Sequence, residues 1–303
     1  TNVVDRGTAF YYVGTGILPA LTTTDLSSYF TTVFNGTAGN LTLNMDSGSR
    51  LFIVDNVSID LSVTATPLGS IPGGPTVNGS NYKTYMMYKS LLGIDQAVNL
   101  DSASDAYNVL EIATSSISNN GQTINGTIAG QAAIAQENGL TPGGVALTRS
   151  TVTLTNNGGT ISLSGVNSVG MYTSNGEIYN TTAGKINATG DNSIGIYATN
   201  GTKVDTAAGT EINIGKNGVG IYAEGWKQGT AQLFGNGELD IKNSGLIKSG
   251  TGTAAIGVYL NNNSGVAVAN SKLDLSTGTI DVSSSDGGIG VYVDKGTVTD
   301  AAS

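Results

Sequence analysis

The sequence predicts an all-β chain, folded as a right-handed parallel β-helix with three short strands in each rung of about 25 residues. Three observations predict this fold. A five-residue phrase recurs through the second half of the chain, turns rich in Asn and Gly separate short strand-like runs, and apolar residues alternate within those runs. An irregular, partly helical excursion is expected to interrupt the coil in the N-terminal half.

The recurring phrase ends in Gly-x-Tyr. Its copies are Ser168–Tyr172, Ser193–Tyr197, Gly218–Tyr222, Ala255–Tyr259 and Gly288–Tyr292. The glycines of successive copies are 25, 25, 37 and 33 residues apart. A β-rich phrase with such a period indicates a solenoid, in which equivalent residues of neighbouring rungs stack.

Each repeat divides into three strands. In the first full repeat they fall within 169–175, 176–180 and 184–188, and Asn-Gly or Ala-Gly corners separate them. Glycine adopts the positive φ of a tight corner without strain, and asparagine tolerates it better than most other residues. Three strands and three corners therefore fill one rung.

Alternation within the first strand predicts which side chains face the core. It places Val169 and Met171 inside, and Gly170 and Tyr172 outside. Stacking about 4.8 Å apart predicts an external tyrosine ladder, with each ring covering a neighbouring glycine. The ladder residues are Tyr172, Tyr197, Tyr222, Tyr259 and Tyr292. A second ladder, of amides hydrogen-bonded between rungs, is expected at Asn167, Asn192 and Asn217.

The two long intervals indicate insertions. One lies near 224–232 and contains Trp226, the only tryptophan, and the other lies near 261–265. Insertions in a solenoid leave its wall as loops, and such loops often bind ligands. An outward Trp226 is therefore a candidate binding residue, with folding back onto its own loop as the alternative.

The first half of the chain lacks the phrase. We divide the chain into N-terminal rungs (1–64), an inserted loop or helical subdomain (65–120) and a regular β-helix (121–303). The insertion contains a Pro- and Gly-rich stretch and a helix over 103–110, whose apolar residues have helical spacing. Residues 131–138 are expected to form a short helix or an edge strand. Tyr82, Tyr85 and Tyr88 are candidate binding residues, or else pack the subdomain onto the coil.

Composition argues against several functions. The chain has no histidine and no cysteine, which excludes imidazole- and thiol-based catalysis and metal sites. Its acidic residues occupy no shared strand position, so no paired-carboxylate site is predicted. We therefore predict no enzyme, cofactor or metal site. A calcium site at Asp281, Asp286 and Asp294 is a minor alternative.

The formal net charge of −9 argues against nucleic acid as a partner, because no basic patch is available for phosphates. No apolar run approaches the ~20 residues that a membrane-spanning helix needs, so this segment is not expected to insert into a membrane. We expect a monomer.

The Ser-Ile-Gly-Ile-Tyr phrase at 193–197, with Asn-Gly-Thr at 200–202 and Ala-Gly-Lys-Ile-Asn at 183–187, resembles the passenger domains of large fusobacterial type V autotransporter adhesins. The likeness is good over 151–303 and thinner over 1–150. It implies a β-helical virulence factor on the bacterial cell surface, exported through an outer-membrane domain of a longer parent protein. It also implies cell adhesion, through host-cell glycans or receptors or through other bacteria.

Three functions follow, in order of preference. The first is an adhesin passenger segment whose binding residues lie in the excursion and the Trp226 insertion. The second is a structural stalk whose binding tip lies elsewhere in the parent protein. The third is a β-helical polysaccharide-active enzyme.

Overall fold

The computed structural model describes residues 1–4, 7–15, 23–24, 40–56, 58–60, 75–79, 82–88, 90–95, 97–100, 103–110, 115–137, 152–174, 176–225, 239–261 and 272–294. Within these residues the chain forms 31 β-strands and no α-helix.

The strands are, in chain order, β1 (Asn2–Val3), β2 (Thr8–Val13), β3 (Thr23–Thr24), β4 (Thr42–Met45), β5 (Arg50–Asp55), β6 (Ser58–Asp60), β7 (Thr76–Gly79), β8 (Tyr82–Tyr88), β9 (Leu91–Ile94), β10 (Val98–Asn99), β11 (Ala103–Leu110), β12 (Ser116–Asn120), β13 (Thr123–Gly126), β14 (Ala132–Glu137), β15 (Thr153–Asn157), β16 (Thr160–Leu163), β17 (Val169–Ser174), β18 (Glu177–Thr181), β19 (Lys185–Ala188), β20 (Ile194–Thr199), β21 (Lys203–Thr206), β22 (Glu211–Ile214), β23 (Val219–Glu224), β24 (Asp240–Asn243), β25 (Leu246–Ser249), β26 (Gly252–Thr253), β27 (Ile256–Asn261), β28 (Lys272–Asp274), β29 (Thr279–Asp281), β30 (Ser285–Asp286) and β31 (Ile289–Asp294).

Three long sheets dominate the structure. The ten-stranded sheet has the order β2-β5-β8-β11-β14-β17-β20-β23-β27-β31, and the nine-stranded sheet has the order β28-β24-β21-β18-β15-β12-β9-β6-β3. The seven-stranded sheet has the order β10-β13-β16-β19-β22-β25-β29. Two small sheets, β1-β4-β7 and β26-β30, complete the set.

Successive strands enter different sheets, and each strand pairs in parallel with its equivalent one repeat later. Thus β17 pairs with β20, β18 with β21, and β19 with β22. Parallel neighbours cannot be joined by a tight hairpin, so the chain passes through the other sheets before it returns. This nearly all-β architecture with long parallel sheets is consistent with a parallel β-helix.

The core lies between the sheets and is a stack of aliphatic side chains. Ile178, Ile186 and Ile196, one from each long sheet, are all 0% exposed. Ile212, Ile214, Leu239, Ile241 and Leu273 are buried in the same stack. Burial at about 25 cal/mol per Å² of apolar surface makes this stack the main stabilising contribution.

The repeat glycine faces the core, which corrects the prediction that it lies outside. A Cβ added to Gly195 would lie 2.5 Å from Cγ2 of the buried Ile212 and 2.6 Å from the carbonyl oxygen of Gly220. The prediction that Val169 lies inside is also wrong: Val169 and its equivalent Ile194 are partly exposed, while Gly195 and Ile196 are both buried. The glycine interrupts the inward–outward alternation of side chains along the strand. Because it has no side chain, Ile212 of the seven-stranded sheet can occupy the adjacent space in the core.

The corners follow the predicted chemistry. Asn167, Asn192 and Asn217 have φ values of 56°, 56° and 52°, in the left-handed region. Asn217 Nδ2 also donates a hydrogen bond of 3.3 Å to Asn192 Oδ1, so the predicted amide contact between rungs is present at this step. In the next repeat Ala254 takes the equivalent position, with φ 54°.

The predicted helix over 103–110 is wrong: these residues form β11, which pairs with β8 and β14. Residues 132–137 likewise form the interior strand β14 rather than a helix or an edge. The backbone groups of both segments bond to strands on either side, and this tertiary pairing outweighs a weak local helical pattern. The described strands between 82 and 120 therefore belong to the three long sheets, and the Pro-rich residues 67–72 lie outside the described part.

Candidate functional site

A ladder of five tyrosines runs across the outer face of the ten-stranded sheet. Successive ring centroids are separated by 5.1 Å (172 to 197), 5.1 Å (197 to 222), 4.8 Å (222 to 259) and 5.1 Å (259 to 292). The last two pairs are stacked nearly parallel, with interplanar angles of 8° and 10°. The external ladder predicted from the sequence is thus confirmed, although the rings do not cover the glycines, which face inward.

An aliphatic row lies beside the tyrosines. It consists of the residue before each repeat glycine, and these residues are partly or fully exposed: Val169, Ile194, Val219, Ile256 and Ile289. Together the two rows form what we call the tyrosine face, defined by residues 169, 172, 194, 197, 219, 222, 256, 259, 289 and 292. The face combines aromatic and aliphatic surface with a line of phenol hydroxyls.

The tyrosine face carries few charges. Its five strands, β17, β20, β23, β27 and β31, contain no lysine or arginine, and their acidic residues are Glu224 and Asp294, at the strand ends. Burial and the carboxylate of Glu224 raise the pKa of Tyr197 to about 12. Burial and nearby carboxylates also raise the pKa values of Tyr222 and Tyr259. These hydroxyls are therefore neutral at physiological pH and can both donate and accept hydrogen bonds.

The outer face of the nine-stranded sheet is charged instead. One column across its strands is Glu177, Lys203, Asp240 and Lys272, and the next is Tyr179, Asp205, Lys242 and Asp274. The acidic residues therefore do share strand positions, which corrects the prediction that they do not. A lysine separates each stacked pair of acids, so each carboxylate of these columns has a lysine as a neighbour along its column.

Contacts within these columns are polar. Tyr179 Oη donates to Glu177 Oε2 over 2.6 Å, and Lys203 Nζ donates to Tyr179 Oη over 3.1 Å. Burial raises the pKa of Tyr179, and the Glu177 hydrogen bond adds to the effect. On the seven-stranded sheet, Lys185 and Glu211 form an ion pair of 3.3 Å.

The predicted binding tyrosines do not form one surface. Tyr82 is 1% exposed and belongs to the core, so its ring is not available to an external ligand. Tyr85 and Tyr88 lie in β8, where their backbones pair with Phe52 and Asp55, and their side chains lie outside the described part of the structure. Trp226 also lies outside the described residues, two positions after Glu224 at the end of β23.

A buried amide ladder was missed from the sequence. It lies at the corner between the nine- and seven-stranded sheets, where Asn119 Nδ2 donates to Asn156 Oδ1 and Asn156 Nδ2 to Asn180 Oδ1, both over 2.9 Å. Thr206 and Asn243 continue it in the next rungs. The available signal was an Asn two to four residues before the glycine or glutamine that precedes four strands of the seven-stranded sheet, β13, β16, β19 and β25. This ladder is fully buried and therefore structural.

Metal-ligating groups are not clustered in the described residues, where no three Asp or Glu side chains come together. Of the minor calcium candidates, Asp281 accepts a hydrogen bond from the Ser283 backbone nitrogen over 3.1 Å and another from its hydroxyl. These bonds, together with Lys248, lower the pKa of Asp281. Its carboxylate is thus already engaged in a local turn.

A search of the described residues for a helix able to cross a membrane finds none. The chain matches no protein-family profile, no curated protein and no solved structure. On the basis of its surface geometry, the tyrosine face is the candidate functional site of this chain.

Proposed function

We propose that this chain is a non-catalytic binding segment of a bacterial surface adhesin, folded as a right-handed parallel β-helix with three-strand rungs. It would be displayed outside the cell on the outer membrane, as the resemblance to autotransporter passengers implies. Its ligand would be a host-cell glycan or receptor, or the surface of another bacterium. In this proposal the coil is a rigid support and the binding surface lies on its wall.

The tyrosine face is the observation that carries the proposal. Tyrosine is enriched at protein interfaces, because its ring supplies apolar contact area and its hydroxyl supplies a hydrogen bond. Here five such rings are spaced about 5 Å apart on one rigid sheet, with aliphatic side chains beside them. The patch is contiguous and partly exposed, and large apolar patches on a protein surface mark interaction sites.

Two predicted insertions are attached beside this face. The strand that carries Tyr222 ends at Glu224, and the strand that carries Tyr259 ends at Asn261. The segments that begin there include Trp226 and residues 262–265. Their attachment points favour a role next to the tyrosine face, since both begin two residues after a ladder tyrosine.

A binding assay tests the proposal. Labelled chain is added to host cells and to partner bacteria, and competition with unlabelled chain measures saturable binding. We expect the double variant Tyr222→Ser/Tyr259→Ser to bind at least about tenfold more weakly, because aromatic anchors at interfaces are worth about 2 kcal/mol or more.

The matched control is Tyr179→Ser, which makes the same chemical change on the nine-stranded sheet. We expect it to bind as the unsubstituted chain does. Equal binding by the double variant and the unsubstituted chain would remove the tyrosine face from the proposal.

A structural stalk is the second candidate, and the alternating charges of the nine-stranded sheet favour it, because they produce a solvated and self-neutralised wall. It predicts no saturable binding by the unsubstituted chain to any cell type. A polysaccharide-active enzyme is the third candidate and predicts new reducing ends or unsaturated sugars after incubation with glycans.

A further inference from the structure

The charges on the nine-stranded sheet alternate in two directions at once. Along each column the sign changes from rung to rung, as in Lys203, Asp240 and Lys272. Along each strand the sign also changes between the two outward positions, because Asp205 follows Lys203 and Lys242 follows Asp240. The three rungs formed by β21, β24 and β28 therefore present a checkerboard of six charges, all partly or fully exposed.

A checkerboard of this kind is complementary to its own image. Suppose that a second copy faces the first across a two-fold axis parallel to the coil. The first outward residue of each strand then lies opposite the second outward residue of the same strand in the other copy. Lys203 then opposes Asp205, and Asp240 opposes Lys242. Lys272 likewise opposes Asp274. Because a two-fold interface uses the same patch on both copies, each contact occurs twice, which gives six ion pairs from three rungs.

The adjoining rungs do not oppose this pairing. Glu177 would meet Tyr179, whose hydroxyl is already a donor to Glu177 within the chain. The next strand presents the neutral Thr153 and Thr155. No like charges therefore face one another along the described strands from β15 to β28.

The seven-stranded sheet lacks this property. Its charges are Lys185 and Glu211 in one column and Lys248 and Asp281 in the other, and the second outward position of each of these strands is neutral: Asn187, Asn213, Leu246 and Thr279. A two-fold image would therefore place every one of these charges against a neutral side chain. Self-complementarity is thus a specific feature of the nine-stranded sheet rather than of every polar wall of this chain.

We propose that the outer face of the nine-stranded sheet is a lateral docking surface for a second copy of this chain, aligned in parallel and in register. This revises the expectation of a monomer. Exposed ion pairs contribute little each, so the association is weak in dilute solution and salt-sensitive. It becomes effective where many copies stand side by side, because the local concentration is then high.

Charge reversal and complementation test the proposal. Sedimentation of the whole chain at low salt is compared for the unsubstituted chain, Lys242→Glu and Asp240→Lys. Each reversal turns two attractive contacts into repulsive ones, so each variant alone should self-associate about tenfold more weakly. A one-to-one mixture restores opposite charges at both contacts, and we expect its association to return to within about threefold of the original.

Two controls make the result specific. Lys248→Glu reverses an exposed lysine on the seven-stranded sheet and should leave association unchanged. Circular dichroism establishes that each variant is folded, as expected for exposed positions.

Three outcomes would overturn the proposal. They are no salt-sensitive association of the unsubstituted chain near millimolar concentration, no loss of association in the single variants, and no recovery in the mixture. In an antiparallel pair, Lys203 would lie opposite position 240 of the other copy. Two contacts would then remain repulsive in the mixture, so its association would not recover.

Discussion

The repeat glycine has a strict steric requirement, because its position has no room for a side chain. At Gly170, Gly195 and Gly220, an added Cβ would lie 2.5–2.6 Å from both a core isoleucine and the carbonyl oxygen of the next glycine. Real Cβ atoms do not approach other atoms so closely, and a packed core resists the shift that would relieve the contact. The recurring Gly-x-Tyr phrase therefore combines two separate roles, a space for the core and an exposed ring.

Substitution of this glycine should be costly in the middle of the stack and tolerated at its end. We expect Gly195→Ala to lower the free energy of unfolding by about 2 kcal/mol or more, as overpacking does. Gly290→Ala is the matched control, because a Cβ at Gly290 meets nothing within 4 Å. Urea unfolding of both variants checks the prediction, and an equal loss in the two would contradict the steric explanation.

The tyrosine hydroxyls make the free energy of unfolding depend on pH in the alkaline range. The pKa of Tyr197 rises from 10.0 to about 12 on folding, so the folded state holds a proton that the unfolded state releases in this range. The resulting stabilisation is complete below pH 10 and is lost as the pH rises through about 12. Unfolding measured at pH 9, 10, 11 and 12 should therefore show a fall that is smaller in Tyr197→Phe.

At the level of the elements, buried side-chain hydrogen bonds stabilise the corners between strands. Asn156 accepts from Asn119 and donates to Asn180 Oδ1 at 2.9 Å and to the Gly159 carbonyl oxygen at 3.0 Å, while 0% exposed. The amide thus links two neighbouring rungs and closes the turn of its own. Each ladder member satisfies polar groups that water cannot reach, which fixes the rungs in register.

Removal of one member should leave buried partners unsatisfied. We expect Asn156→Ala to lower the free energy of unfolding by about 2–3 kcal/mol, because more than one buried polar group loses its hydrogen bond. The neighbouring Asn157→Ala is the control, since Asn157 is exposed, and should cost less than about 0.5 kcal/mol. A similar cost for both would show that the buried ladder is not the source of the stability.

At the scale of the whole molecule, stability should vary along the coil. Each rung contacts its two neighbours, so a central rung is covered on both sides and a terminal one on a single side. The core residue Ile196 of β20 is 0% exposed, whereas Val291, its equivalent in β31, is only partly buried. The described strands thus include well-protected central rungs and a partly open terminal rung.

Hydrogen exchange checks this gradient. We expect the backbone amides of β20 and β21 to exchange most slowly and those of β31 to exchange fastest among the strands of the ten-stranded sheet. The amides of β2 should also exchange early, since Tyr11 and Val13 are exposed there. Uniform protection from β2 to β31 would instead indicate that the chain unfolds as one cooperative unit.

The β-rich class, the repeat and the tyrosine ladder are all evident in the sequence. Each depends on local rules: a fixed period stacks equivalent residues, and alternation separates the two faces of a strand. The left-handed backbone of Asn192 at its corner also depends on a local rule, because asparagine tolerates this conformation intrinsically. For these features the physical cause is local and is contained in the sequence.

The direction of Gly195, the strand at 103–110 and the buried position of Tyr82 depend on tertiary contacts. The glycine faces inward because an isoleucine from another sheet occupies the adjacent space, and that residue is distant in sequence. β11 is a strand because β8 and β14 bond to both of its edges. The alternating charge columns appear for the same reason, since strand pairing alone sets which residues are neighbours. Where a neighbour from another rung determines the outcome, local pattern is insufficient.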